Sequence, residues 1–222
     1  MKNIWLGTIF ISVLACTPSG QQSTTSTDAP STQDTVNDTP TQQECTYILD
    51  TDKVTIGWTA YKTTDKIAVK GVFDTITIAD AKEAADLPHA LESITLIINA
   101  TSINSQNPER DARIVKFFFG TMNSWEKIIG DVVAVQGDEN RGELALDLSL
   151  NGITRQIMVP YVQERGTLVF QTEIDLSEWN ADSSIASLNR ACHDLHTGPD
   201  GISKLWPTIR FEVRAPFHKK CP

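Results

Sequence analysis

The sequence predicts an all-β domain, a barrel or a sandwich, over residues 45–222. Two observations carry this. Apolar and polar or small residues alternate through nearly every apolar segment, the period-two pattern of strands with one dry and one wet face. The clearest run, Leu144, Leu146, Leu148 and Leu150, turns away from Ala145, Asp147 and Ser149 and leads into Asn151-Gly152, the strongest short hairpin signal.

In chain order, Val54, Ile56 and Trp58 mark a first strand. Ile67, Val69, Gly71 and Phe73 mark a second, and Ile76 and Ile78 follow with shifted parity, which predicts a bulge. Ile94, Leu96 and Ile98 form another alternating set, before the leucine run. After the turn come Ile153, Ile157, Val159 and Tyr161. A two-residue turn pairs Leu150 with Ile153 and Leu148 with Arg155. Leu168, Phe170, Ile174 and Leu176 follow, and Ile209, Phe211 and Val213 close the set. Many such strands in one domain suit a barrel or sandwich. Two helices interrupt it. Asn107-Pro108 is an N-cap with proline at the first helical position, opening a helix through Glu109, Arg110 and Asp111 to Phe117-Phe118-Phe119, with Gly120 as a stop. Apolar residues at 185, 188, 192 and 195 predict a second, Ile185–His196, ended by Gly198 and Pro199.

Residues 1–15 read as an export signal. Lys2 supplies the positive end and Ile4 to Leu14 an apolar run too short to span a bilayer. Val13-Leu14-Ala15-Cys16 resembles a bacterial lipobox, which implies a diacylglycerol on Cys16. Residues 16–44 are expected to form a disordered tether: beyond Cys16 they are almost entirely Ser, Thr, Gln, Asp, Asn, Pro and Gly, and cannot bury enough apolar area to offset their ordering entropy. A coil of that length spans roughly 30 Å. Thr17 stands where an inner-membrane retention signal would place Asp, so the expected site is the cell envelope, outer membrane rather than inner. The net charge of −9 argues against nucleic acid as a partner.

With Cys16 lipidated, Cys45, Cys192 and Cys221 remain, enough for one intrachain disulfide with three pairings. A closed antiparallel barrel puts the start of its first strand beside the end of its last. That favours Cys45–Cys221 and leaves Cys192 free.

An ordered set of motifs resembles the YceI-like family of bacterial secreted proteins. These are Trp58-Thr59-Ala60-Tyr61-Lys62 with Val69-Lys70-Gly71-Val72-Phe73, Asn107-Pro108-Glu109-Arg110-Asp111 leading to Phe118-Phe119 and Met122, Leu150-Asn151-Gly152-Ile153-Thr154-Arg155, and Ile174-Asp175-Leu176 through Trp179, Leu188-Asn189 and Cys192-His193-Asp194-Leu195-His196. The resemblance covers nearly all of residues 47–214. It implies an eight-stranded antiparallel lipocalin-like barrel with one or two short helices, and a long apolar tunnel holding a polyisoprenoid such as an isoprenoid quinone. Family members are typically periplasmic and soluble, so the lipobox and tether are a departure.

The dry parity of the strands nominates the tunnel lining: Trp58, Phe73, Leu96, Ile98, Phe117, Phe118, Leu146, Leu148, Ile157, Phe170 and Phe211. No charge is needed to hold an isoprenoid chain, since affinity comes from taking methyl and methylene groups out of water at roughly 25 cal/mol per Å². Arg155 falls on the apolar parity near the hairpin tip, placed either to meet a head group at the tunnel mouth or to snorkel to solvent. Arg110 and Asp111 read as structural. Cys192 and His196, at i and i+4, are weak candidates for a metal site or for a thiol nucleophile and its base; the plainer reading is a buried cysteine acting as a small hydrophobe. No nucleophile elbow, HExxH or phosphate-binding glycine loop is present, so no catalytic residue and no resident cofactor are expected. The expected function is lipid binding or carriage from a membrane anchor. The alternatives are a Cys192/His196 enzyme and a surface scaffold without a ligand.

Overall fold

The computed structural model describes residues 45–222. The expectations for the signal at 1–15, lipid attachment at Cys16 and the tether at 16–44 lie outside the described residues.

Among the described residues eleven antiparallel strands form the wall: β1 (Thr46–Leu49), β2 (Thr55–Lys62), β3 (Ile67–Phe73), β4 (Ile76–Ala79), β5 (Thr95–Asn99), β6 (Ile103–Asn104), β7 (Lys127–Gly137), β8 (Arg141–Leu150), β9 (Ile153–Glu164), β10 (Thr167–Asp175) and β11 (Leu205–Lys220). The pairing order is β4-β5-β7-β8-β9-β10-β11-β2-β3-β6, with β1 added to β11. The strand count exceeds eight because three staves are bent. β3 runs into β4 through Asp74 and Thr75 alone, and β5 runs into β6 through the 3-10 turn Ala100–Ser102. Backbone bonds bridge the bend: Asp74 N–H donates to the Ser102 carbonyl and Asn99 N–H to the Thr75 carbonyl. β1 and β2 likewise follow β11 in succession, separated by the 3-10 turn Thr51–Lys53. Counted as staves the sheet has eight, and the covalent passage from β3 to β4 closes the circuit.

The bulge expected between Phe73 and Ile76 is therefore a correction. Ile67–Phe73 pairs with β2 and Ile76–Ala79 with β5, so the shift in parity marks a change of partner. The hairpin register holds as read, with Leu150 opposite Ile153 and Leu148 opposite Arg155.

Two places in the wall lack a strand-to-strand ladder. β9 and β10 pair only from Thr167–Glu164 to Phe170–Tyr161 and then separate. Pro160 follows at that point on β9 and has no N–H to offer a ladder. The 3-10 turn Leu176–Trp179 folds back over this wedge. Trp179 is fully buried, and its indole N–H donates to the Leu148 carbonyl at 3.0 Å. Asn151 Nδ2 donates to the Trp179 carbonyl at 2.8 Å. The second place is β4, which has a strand partner only on its β5 side.

Four helices complete the described residues: α1 (Leu87–Leu91), α2 (Pro108–Phe117), α3 (Asp182–Ala191) and α4 (His193–His196). As read from the sequence, Asn107 caps α2, its side-chain oxygen accepting from Arg110 N–H at 3.0 Å. Asp111 accepts from the Ser105 hydroxyl at 2.6 Å and ties the helix to the preceding loop. The expected helix Ile185–His196 is corrected: it starts at Asp182, and Cys192 (φ −119°, ψ 26°) breaks it. The break turns Leu195 out to solvent, away from the apolar face assigned to it.

Cys45 and Cys221 are joined by a disulfide, with Cα atoms 4.2 Å apart, beside the Thr46–Lys220 pair of β1 and β11. Cys192 is free and buried.

Candidate functional site

Alternation puts one side chain in two inside the barrel, and those side chains do not fill it. A cavity of about 230 Å³ runs from Leu49, Leu91 and Ala215 at one end to Leu188 and Trp206 at the other, lined throughout by apolar side chains. It exceeds the roughly 150 Å³ apolar cavity that takes up benzene, and a cavity without polar partners does not hold ordered water well. Helices stopper both ends: α1 contributes Leu91, α2 Ile114, and α3 Ile185 and Leu188.

Nine of the expected lining residues border this cavity: Trp58, Phe73, Leu96, Ile98, Phe118, Leu146, Leu148, Phe170 and Phe211. Three do not, and each has a local reason. Phe117 precedes Phe118 by one helical step, so while Ile114 and Phe118 face inward it turns aside, with the Lys116 ammonium 5.0 Å from its ring centre. Ile157 keeps inward parity opposite Leu146 and packs on the core, but sits where β9 has swung away from β10. Arg155 is exposed, and its Nε donates to the Glu178 carbonyl at 3.2 Å, pinning the turn over the wedge.

Sequence reasoning missed other liners. Phe119, 4 % exposed, meets Phe118 edge-on with centroids 5.0 Å apart. Leu144 and Leu150 belong to the same leucine face as Leu146 and Leu148, so parity already contained them. Trp206 carried no legible signal, because β11 shifts register between Leu205 and Ile209 and the shift hides the alternation. Its indole N–H donates to the Thr63 carbonyl at 2.7 Å, and the Lys204 and Lys66 ammonium groups lie 3.5 and 4.4 Å from its ring centre.

Two glycines make room for aromatic rings on the inner face. A Cβ at Gly71 would stand 2.5 Å from the indole of Trp58, its partner across β2 and β3. A Cβ at Gly142 would stand 2.5 Å from the Tyr161 hydroxyl, which donates to the Asp138 carbonyl at 2.9 Å. Burial pushes the Tyr161 phenol above its ordinary pKa, so the ring stays a neutral wall.

Cys192 and His196 are both buried. Burial raises the thiol pKa against the opposing pull of Arg113 and Lys62. His196, 9 % exposed, has Nδ1 2.9 Å from Asn189 Oδ1. Asn189 Nδ2 donates to the Ser203 carbonyl, so Oδ1 accepts and the histidine carries its proton on Nδ1. Among the described residues no group of three or more His, Cys, Asp or Glu side chains is placed to hold a metal ion.

The YceI-like domain family matches residues 47–214. Among solved structures, a polyisoprenoid-binding domain from Saccharophagus degradans implicated in plant cell wall breakdown superposes with TM-score 0.55 at 14 % identity, over 79 % of this chain and 98 % of that one. BcnA of Burkholderia cenocepacia superposes with TM-score 0.55 at 13 % identity, over 77 % of this chain and 99 % of that one. At these identities the superpositions speak for the fold. No curated protein sequence matches the chain. With the family match spanning most of its length and the barrel in place, the chain belongs to the YceI-like family.

Proposed function

We propose that the barrel binds a long-chain isoprenoid-type lipid, such as an isoprenoid quinone, lengthwise in its cavity, and does so without catalysing a reaction. The carrying observation is the cavity itself: it reaches from Leu49 to Trp206 with no charged side chain on its lining. A slender hydrocarbon fits such a space, because each buried methylene contributes about 0.8 kcal/mol and no polar partner is required. The S. degradans relative of the same fold is described as polyisoprenoid-binding. The protonated Cys192 thiol and the engaged His196 speak against the enzyme alternative.

In the same proposal, residues 1–15 direct export, Cys16 carries the acyl anchor, and residues 16–44 hold the barrel off the membrane of the cell envelope, the outer membrane in preference to the inner. Two or more acyl chains anchor stably.

Titration with an isoprenoid quinone tests the binding. Trp58 and Trp206 border the cavity, so a quinone seated there quenches their fluorescence. Ala60 also lines it, and Ala60→Phe fills part of the space a chain would occupy. Expected is saturable quenching in the native chain, weakened about tenfold or more in Ala60→Phe, as loss of two or three buried methylenes' worth of contact gives. Equal affinity in the two proteins would place the quinone elsewhere.

A further inference from the structure

A second, polar cleft flanks the apolar cavity. The turn Thr51–Lys53 and strand β4 face each other across a cleft of about 540 Å³. The cleft shares Val54, Phe73 and Ile78 with the cavity, so these three side chains form the partition between the two spaces. It lies at the unpaired edge of β4. Asn99 N–H donates to the Thr75 carbonyl, which fixes the alternation of that ladder. Thr77 and Ala79 then bond toward β5, and the N–H and C=O groups of Ile76 and Ile78 point across the cleft. The free edge of β6 differs, since α2 packs over it. The wedge between β9 and β10 differs too, since Trp179 and its hydrogen bonds close it.

The chemistry of the cleft differs from that of the cavity. The inner cavity is apolar throughout, whereas the cleft adds the hydroxyls of Thr51, Thr55 and Thr77 and the carboxylates of Asp52 and Asp74. Among the described residues no Lys, Arg or His borders it. The nearest cation in sequence, Lys53, is held by Asp50 at 2.7 Å, and Asp74 accepts from Asn104 Nδ2 at 2.9 Å.

We propose that this cleft receives the polar head of the lipid, and that it takes an uncharged oxygen-bearing head, a hydroxyl or a quinone, and disfavours a phosphate. The inference rests on the lipid-binding reading above. Threonine hydroxyls and free backbone groups donate to and accept from neutral oxygens. Two carboxylates on a lining that carries no cation repel an anion, and like charges brought together cost affinity.

The test compares three ligands of one chain length, a prenol, a prenyl quinone and a prenyl monophosphate, on the full chain and on Asp52→Asn/Asp74→Asn. Expected is a Kd for the phosphate about tenfold or more above that of the prenol in the native chain, with the ratio falling toward one in the double variant. Asp52→Asn alone, at an exposed position, moves the ratio in the same direction by less and guards against misfolding of the double variant. A phosphate that binds the native chain as tightly as the prenol overturns the proposal, as does a penalty that survives both substitutions. Failure of all three ligands to bind overturns the lipid-binding reading, and this inference with it.

Discussion

Burial and the Lys62 ammonium, the first the larger cause, push the pKa of His196 from 6.5 down to about 4. Between those values an unfolded chain binds the proton and the folded chain does not. Stability therefore rises with pH across the window and is lost as pH falls from about 6.5 toward 4, by on the order of 3 kcal/mol when complete. Urea melts at about pH 4.5 and about pH 7.5 check this. His196→Gln keeps a polar group beside Asn189 without a titration in this range, so its melts are expected to shift less between the two conditions. An unchanged shift would assign the acid sensitivity to other groups. The same residue shows where sequence stops being legible. The i, i+4 spacing of Cys192 and His196 was visible, but the break at Cys192 and the bond to Asn189 depend on a loop that returns from Ser203. Arg155 makes the same point: its place opposite Leu148 follows from a two-residue turn, whereas its contact with Glu178 follows from a wedge no local pattern announces.

Strands with clean alternation were readable, and those interrupted by irregularity were not. β7 escaped because Ile128 stands beside Ile129 and Val132 beside Val133 in the sequence, which blurs the period of two, and because its register shifts between Val132 and Ala134. α1 escaped because five residues are too few to show a helical face, although Asp86 caps it and Pro88 stands in its first turn. β1 escaped because it is four residues long and its partner, the last turn of chain in β11, lies 171 or so positions away. The disulfide lies at the start of that strand. The strand pairs with β11 through Thr46–Lys220 to Leu49–Phe217, its other backbone bridge runs from Tyr47 to Ala84, and Tyr47 and Leu49 are buried in the core. The Cys45–Cys221 bond joins residues 176 apart and so removes much freedom from the unfolded chain. Replacing both cysteines by serine is expected to lower stability by about 2–5 kcal/mol, read as an earlier denaturant midpoint. A midpoint equal to that of the oxidised native chain would mean the bond contributes nothing to holding β1.

At the scale of the molecule, parity says which side chains point inward but not whether they meet in the middle. Leu146 and Leu148 are over nine-tenths buried and still border open space, because a wall of eight staves with helical stoppers at both ends encloses more volume than its inner side chains occupy. Closure is equally non-local. It depends on β3 and β4, two residues apart in the chain, taking partners on opposite ends of the pairing order. On the proposed function, this interior holds an isoprenoid chain. The most direct measurement is the lipid that the full chain already carries when purified in mild detergent from the cells that make it, extracted with organic solvent and weighed by mass spectrometry. Expected is a single class of isoprenoid lipid, near one per protein. An extract without isoprenoid, or one holding only membrane phospholipids in their bulk proportions, would contradict it.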